Sequence, residues 1–203
     1  MSKENVQLLQ SALRSRFKAE EAQYLSLLLR PCLYVETIDY MELDLPRETK
    51  KEYILMAFEE RLLIPVQDKE GYGWDDCGLR MEDGERYSMP RLSKVVLKTA
   101  LSTGRLDSEP AIKELIAVNT VSGDRDFDQI NKFLQALKSH STQSKFEGGL
   151  MLAISQSMDL KEDLHDLVEL LILLGVISPS KKSSMAKGLS WFEINPCLYW
   201  DGS

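Results

Sequence analysis

Two stretches of the chain show the same order of sequence features. In the first, Met41-Glu42-Leu43-Asp44-Leu45 is followed by an amphipathic segment that ends with Glu60-Arg61-Leu62-Leu63-Ile64. In the second, Ser157-Met158-Asp159-Leu160 is followed by an apolar segment that ends with Leu174-Gly175-Val176-Ile177. Each exit is followed by a loop and a second strand-like stretch. An internal repeat of this kind predicts two structural units built on the same plan.

Local patterns assign an element to each part of the repeat. Apolar residues at helical spacing predict the longer helix of each copy, and Gly175 marks the place where the second of these helices ends. The helices predicted inside the repeats are 37–43, 48–61, 146–155 and 164–174. Short apolar or alternating runs predict the strands. The predicted strands are 62–66, 84–90, 176–178 and 189–194.

The rest of the chain is predicted to be helical. The predicted helices outside the repeats are 5–17, 22–29, 92–102, 108–118 and 127–137. Pro31 should stop the second of them, because proline cannot donate the hydrogen bond that another turn requires. Asp107 and Ser108 are placed to cap the helix that follows them. The polar break at 140–144 is the best candidate for a linker.

The order helix, turn, helix, strand, loop, strand resembles the winged-helix family. The exits at Arg61 and Gly175 look like the junction between the recognition helix and the wing in that family. This resemblance covers residues 20–90 and 146–200 and implies a mainly α protein with small β-hairpins, of the α+β class. It implies two winged-helix-like domains at 1–91 and 145–203, joined by a helical connector at 92–144. A single all-helical domain with incidental hairpins is the structural alternative.

The composition is that of an ordinary soluble globular chain. It has 203 residues, a net charge of -7, 43% hydrophobic residues and 28% charged residues, which excludes disordered and collagen-like classes. The longest apolar run, residues 170–176, is far shorter than the roughly 20 residues of a bilayer span. The first residues do not resemble a secretory signal. We therefore expect a cytoplasmic protein with no membrane partner.

No constellation of residues indicates catalysis. The three cysteines are too widely separated to form a zinc spacing or a disulfide framework, and we expect them to be buried, reduced thiols. They are Cys32, Cys77 and Cys197. His165 lies one helical turn from Glu162 and Glu169, which could form a weak metal site, but a salt-bridged surface histidine is the expected state. The sequence therefore predicts a protein that is not an enzyme, with no metal site and no cofactor.

The resemblance implies a surface for duplex DNA. Winged helices that bind DNA place the second helix of the motif in the major groove, and nearby cations neutralise phosphates. In the first copy, the residues at that surface would be Arg47, Lys50 and Lys51. In the second, a basic wing loop would contribute Lys181, Lys182 and Lys187. The first hypothesis is thus a DNA-binding transcriptional regulator.

A protein-docking adaptor is the alternative function. The candidate recognition helix of the second copy is acidic, which would repel a duplex, and winged helices also serve as docking modules. An acidic chain with two of them resembles adaptors of condensin-like complexes, which hold a partner protein. The candidate partner-binding residues are the C-terminal aromatics Trp191, Phe192, Tyr199 and Trp200. These residues would also suit a homodimer seam, and packing in the core is the other reading.

Overall fold

The computed structural model describes residues 3–43, 45–66, 73–119, 126–160, 163–180 and 191–200. Within these ranges the chain is mainly α-helical, with two small antiparallel sheets. The helices are α1 (Lys3–Leu13), α2 (Ala19–Cys32), α3 (Arg47–Glu59), α4 (Arg91–Thr103), α5 (Ser108–Asn119), α6 (Phe127–His140), α7 (Gly148–Met158) and α8 (Leu164–Leu173). The strands are β1 (Thr37–Asp39), β2 (Ile64–Pro65), β3 (Arg86–Ser88), β4 (Lys145–Glu147), β5 (Ile177–Ser180) and β6 (Trp191–Ile194). Short 3-10 helices cover Tyr40–Glu42, Trp74–Asp76 and Pro196–Tyr199. The predicted α+β class is confirmed.

The two sheets share one connectivity. The strand order is β1-β3-β2 in the first sheet and β4-β6-β5 in the second, so the last strand of each lies in the middle. A helical segment ending in α3 or in α8 joins the first strand to the second in each unit. The internal repeat read from the sequence therefore corresponds to a repeated chain path.

The strands β1 and β4 correct the sequence prediction. Residues 37–43 were predicted to be a short helix and 146–155 a helix from its start, yet Thr37–Asp39 and Lys145–Glu147 are strands. Each pairs with the central strand of its sheet, β3 or β6. Three residues are too few to show an alternating pattern, so the pairing across the sheet decides their conformation.

Helices α3 and α8 end in the same geometry. Arg61 and Gly175 have left-handed backbone conformations, with φ of 53° and 67°. After them, the Leu62 N–H donates to the Ala57 carbonyl at 2.7 Å, and the Val176 N–H donates to the Leu171 carbonyl at 2.9 Å. A left-handed residue in this position closes a helix and reverses the chain. The sequence predicts the end at Gly175, because glycine favours a left-handed conformation, but it does not predict the end at Arg61.

One apolar core runs through the described residues of both units. It extends from Leu9 of α1 to Trp200 at the end of the chain. Helix α1 packs against α2 and α4, α4 packs against α5, and α6 packs against α7. The helices between the two sheets therefore contribute to the shared core, and the domain boundaries at residues 91 and 144 stay predictions.

The break at 140–144 is a tight turn that starts the second sheet. Thr142 and Lys145 exchange backbone hydrogen bonds of 2.9 Å, and Gln143 and Ser144 between them have positive φ. The Ile194 N–H of β6 also donates to the Ser144 carbonyl at 2.7 Å. These bonds hold the segment against the sheet, and its role as a linker between units stays a prediction.

None of the helices in the described ranges is long and apolar enough to cross a bilayer. Helix α2 continues to Cys32, so Pro31 lies inside its last turn and not at or beyond its end as predicted. The predicted cap of α5 is confirmed, because Asp107 accepts a hydrogen bond from the Glu109 N–H at 3.1 Å.

Replacing Gly175 with alanine should destabilise the fold. A Cβ there would lie 3.0 Å from Pro90 Cβ and 3.1 Å from the Arg91 nitrogen, on a backbone with φ of 67°. We expect Gly175→Ala to lower the free energy of unfolding by about 1–3 kcal/mol. Gly149→Ala in α7 is the matched control, because its Cβ would meet nothing within 4 Å. Urea denaturation of both variants checks this, and equal midpoints would contradict the close packing at Gly175.

Candidate functional site

The basic residues predicted at the start of α3 have different environments. Arg47 is exposed and Lys51 is partly exposed. Lys50 is only 7% exposed, its Nζ donates to the Tyr40 carbonyl at 3.0 Å, and it lies 4.8 Å from the centre of the Tyr40 ring. Its long apolar stem makes such burial possible. Lys50 therefore anchors α3 to the preceding 3-10 helix, and its assignment to a DNA-contacting surface is corrected.

The basic residues predicted in the second wing, Lys181, Lys182 and Lys187, lie outside the described residues. The solvent side of α3 is acidic. Its exposed residues beyond Arg47 are Glu48, Glu52, Leu55 and Glu59. Their spacing places them along one side of the helix.

Helix α8 presents carboxylates and apolar side chains to solvent. Asp166 and Glu169 are exposed along its first two turns, and Ile172 and Leu173 are exposed at its end. Leu173 keeps 55% of its surface exposed. His165 lies beside Glu169, with 3.2 Å between Nε2 and Oε1. We refer to Asp166, Glu169, Ile172 and Leu173 as the α8 face.

The apolar end of the α8 face opens into a cleft between the two units. The cleft has a volume of about 480 Å³, and Ile172 and Leu173 form part of its wall. Pro65 of β2 and Met89 beyond β3 contribute the opposite side. Most of the lining is apolar, so the exposed surface at the end of α8 continues inward as a hydrophobic depression.

A buried ion pair holds the two walls of the cleft in place. Arg61 Nε donates to Glu193 Oε1 at 2.8 Å, and Arg61 Nη2 donates to Glu193 Oε2 at 3.1 Å and to Asp75 Oδ1 at 2.8 Å. Asp75 also pairs with Lys145 of β4. Burial raises the pKa of Glu193, and the hydrogen bonds and charge of Arg61 oppose that rise. The end of α3 is thus joined to the central strand of the second sheet.

A neutral hydrogen-bond network lies beside the ion pair. Ser93 Oγ donates to the Arg61 carbonyl at 3.0 Å, and Asn195 Nδ2 donates to both Ser93 Oγ and the Gly175 carbonyl at 3.0 Å. Asn195 is fully buried, and its Oδ1 accepts from the Cys197 N–H at 2.9 Å. The carbonyls of Arg61 and Gly175, the two left-handed residues, therefore accept hydrogen bonds from the same network. This network fixes the two units relative to each other.

The C-terminal aromatic residues do not form one exposed patch. Trp200 is buried and meets Phe17 edge to face, with ring centres 6.5 Å apart. Phe192 stacks on Phe146 of the neighbouring strand at 5.7 Å. Trp191, at the start of β6, is half-buried. The partner-binding assignment of Trp200 is corrected, because its ring lies in the core.

Tyr199 is also held by contacts within the chain. Its hydroxyl and the Ser141 hydroxyl are 2.7 Å apart, and Lys138 Nζ lies 5.3 Å from the centre of its ring. The contacts of Tyr199 and Phe192 agree with the hypothesis that these aromatic residues pack within the protein. A local sequence pattern cannot separate the two readings, since both require the same residue types.

The cysteines are placed as predicted. All three are buried, and they form no disulfide with one another. Burial raises the pKa of Cys32 and of Cys197 to about 12, so both remain protonated thiols at neutral pH. In the described part of the chain, no group of three or more His, Cys, Asp and Glu side chains could hold a metal ion.

The comparisons with known proteins identify a family. A family model matches residues 8–200, and the chain belongs to that family, whose function is unknown. No curated protein and no solved structure matches the chain. The match covers both sheets and the helices between them.

Breaking the Arg61–Glu193 pair should cost far more stability than breaking a surface pair. Arg61→Met leaves Glu193 charged and unpartnered by arginine in the interior, and we expect a loss of about 3–5 kcal/mol in the free energy of unfolding. The matched control is Arg80→Met, which removes an exposed 3.7 Å pair with Glu85 and should cost less than about 1 kcal/mol.

The double variant Arg61→Met/Glu193→Met tests the cause of that loss. Because it leaves neither charge buried alone, it should be more stable than Arg61→Met. Chemical denaturation of the four proteins gives the comparison. If Arg61→Met and Arg80→Met lost the same free energy, the buried pair would not be what joins the units.

Proposed function

We propose that this chain is a tandem winged-helix-like protein that docks a protein partner. The chain path supports the winged-helix-like assignment of both units. The first unit runs α2, β1, 3-10 helix, α3, β2, β3, and the second runs α6, β4, α7, α8, β5, β6. In both, the third strand is the central one. Helices α3 and α8 then hold the recognition position of each unit.

The observation that carries the docking role is the chemistry of the α8 face. Helix α8 contains neither lysine nor arginine, and it exposes Asp166 and Glu169. Duplex affinity depends on cations that replace the counterions of phosphates, so this face would repel DNA. On α3, Glu48, Glu52 and Glu59 similarly oppose the charges of Arg47 and Lys51.

The same face indicates the chemistry of the partner. Leu173 and Ile172 are exposed beside an apolar cleft, and burying such surface favours association. The two carboxylates would select a partner segment with positive charges. An amphipathic helix with leucine-like residues on one side and basic residues at its edge satisfies both conditions. We therefore assign a basic amphipathic segment as the ligand of the α8 face.

The DNA-binding regulator expected from the sequence stays a prediction, and in the described residues it now depends on Arg47 and Lys51. A homodimer also stays a prediction. Both hypotheses differ from docking in a measurable way. A regulator binds a duplex with an affinity that falls steeply with salt.

Fluorescence anisotropy tests the proposal. The first probe is a labelled peptide of about 16 residues with leucine on one helical face and lysine on the other. We expect it to bind, and Leu173→Asp to weaken binding about tenfold or more, because a charge enters the apolar contact. Val118→Asp is the matched control, since Val118 is 78% exposed but belongs to α5. It should bind like the unmodified protein.

The second probe is a labelled mixed-sequence duplex at low and near-physiological salt, for which we expect no binding above background. Equal peptide binding by Leu173→Asp and Val118→Asp would remove the α8 face as the docking surface. Salt-sensitive duplex binding that disappears in Arg47→Glu/Lys51→Glu would replace the adaptor with the regulator.

A further inference from the structure

The cleft between the units is bordered by an edge strand of each sheet. Strands β2 and β5 are outer strands in the orders β1-β3-β2 and β4-β6-β5, and residues of both line the cleft. An outer strand with open backbone groups can pair with an extended segment of another protein. How a partner lies in the cleft therefore depends on the backbone groups that these two strands leave open.

Strand β2 offers no N–H on its open side. The Val66 N–H donates to the Arg86 carbonyl at 2.8 Å, and Ile64 lies opposite Ser88. Backbone groups alternate between the two sides of an antiparallel strand, so those of Pro65 face away from β3. Because proline has no N–H, β2 cannot donate a hydrogen bond to an added strand.

Strand β5 is closed in a similar way. The Asn195 N–H donates to the Val176 carbonyl at 2.9 Å, and the same alternation turns the backbone groups of Ile177 and Pro179 away from β6. Pro179 has no N–H, and the 3-10 helix Trp74–Asp76 packs against β5. The two edges thus disfavour an extended partner, and the apolar walls of the cleft favour the side chains of a helix.

The charge of the surface changes sign along α8. The α8 face begins with its two carboxylates and ends with its two apolar side chains. Arg91 lies beyond the end of the helix, because the neighbouring Leu92 N–H donates to the Leu174 carbonyl at 2.9 Å. A helical rise of about 1.5 Å per residue places Asp166 about 12 Å from Leu174 along the helix axis. The surface is therefore negative, then apolar, then positive.

The guanidinium of Arg91 is open to a ligand. Arg91 is exposed and lines the cleft. Within the ranges that the structure describes, no carboxylate pairs with it, and its side chain makes one hydrogen bond, of 3.5 Å, to Asn119 Oδ1. A hydrogen bond of that length is weak. Lys94, the next cation of α4, donates to the Val35 carbonyl. Arg91 is thus the cation that a carboxylate in the cleft would reach.

We propose that the cleft binds a helical partner segment that is basic at one end and acidic at the other. Its basic residues pair with Asp166 and Glu169, its apolar side chains enter the cleft beside Leu173, and an acidic residue binds Arg91. A guanidinium and a carboxylate can form two parallel hydrogen bonds, so this contact fixes which end of the segment lies at the end of α8. The inference rests on the proposed function and adds the order of charges that the partner must carry.

Fluorescence anisotropy with two labelled peptides tests the charge order. Both have about 16 residues and leucine on one helical face. The bipolar peptide carries lysine in its first half and glutamate in its second half, and the basic peptide carries lysine in both halves. At near-physiological salt the unmodified protein should bind the bipolar peptide more tightly, although its net charge of -7 favours the basic one.

Charge reversal at Arg91 locates the preference. We expect Arg91→Glu to weaken the bipolar peptide and strengthen the basic peptide, so that the ratio of their dissociation constants changes about tenfold or more. Arg105→Glu is the matched control, since it makes the same change of charge beyond the other end of α4 and should leave the ratio unchanged. Arg91→Glu should keep the urea midpoint of the unmodified protein, because glutamate suits the first turn of a helix.

Three results would overturn the inference. An equal change of the ratio in Arg91→Glu and Arg105→Glu would show that net charge decides the preference. Tighter binding of the basic peptide by the unmodified protein would remove the acidic end of the segment. Difference circular dichroism should show that the bipolar peptide becomes helical when it binds, and an extended bound peptide would remove the helical mode.

The same titrations separate this inference from the proposed function. Leu173→Asp should weaken both peptides, because both place leucine against the apolar part of the α8 face. If it weakens both while Arg91→Glu leaves the ratio unchanged, the docking surface stands and the charge order is wrong. If Leu173→Asp weakens neither peptide, the docking surface is wrong and the charge order falls with it.

Discussion

The arrangement of this protein depends on the buried ion pair between Arg61 and Glu193. Arg61 is the left-handed residue that closes α3, and Glu193 is on the central strand of the second sheet. Taking two charges out of water is costly, so the pair persists only where geometry and further hydrogen bonds compensate. Here Asp75 and the Phe58 carbonyl, which accept hydrogen bonds from Arg61 Nη2 and Nη1, supply that compensation. As a result, strands β2 and β5, which both line the cleft, are held at fixed positions relative to each other.

Internal pairing also explains the acidic exterior. Lys50 donates to the Tyr40 carbonyl, Arg61 binds Glu193, and Lys145 binds Asp75. Some lysine and arginine side chains that the sequence alone would place on the surface are therefore bound to other groups of the protein. The outward sides of α3 and α8 keep their carboxylates, and each also exposes a leucine. An acidic and apolar face is suited to a basic, amphipathic protein segment and unsuited to phosphate.

The sequence alone determined the helices and most of the strand positions. Apolar spacing located α3 and α8, and Gly175 marked the end of α8, because these signals depend on residues close together in the chain. Tertiary structure decided the rest. Strands β1 and β4 form because they pair with β3 and β6. Lys50 is buried and donates a hydrogen bond to a carbonyl ten residues earlier in the chain. Arg61 forms its ion pair with a glutamate 132 residues later. None of these contacts has a local pattern, since each is made by segments that only folding brings together.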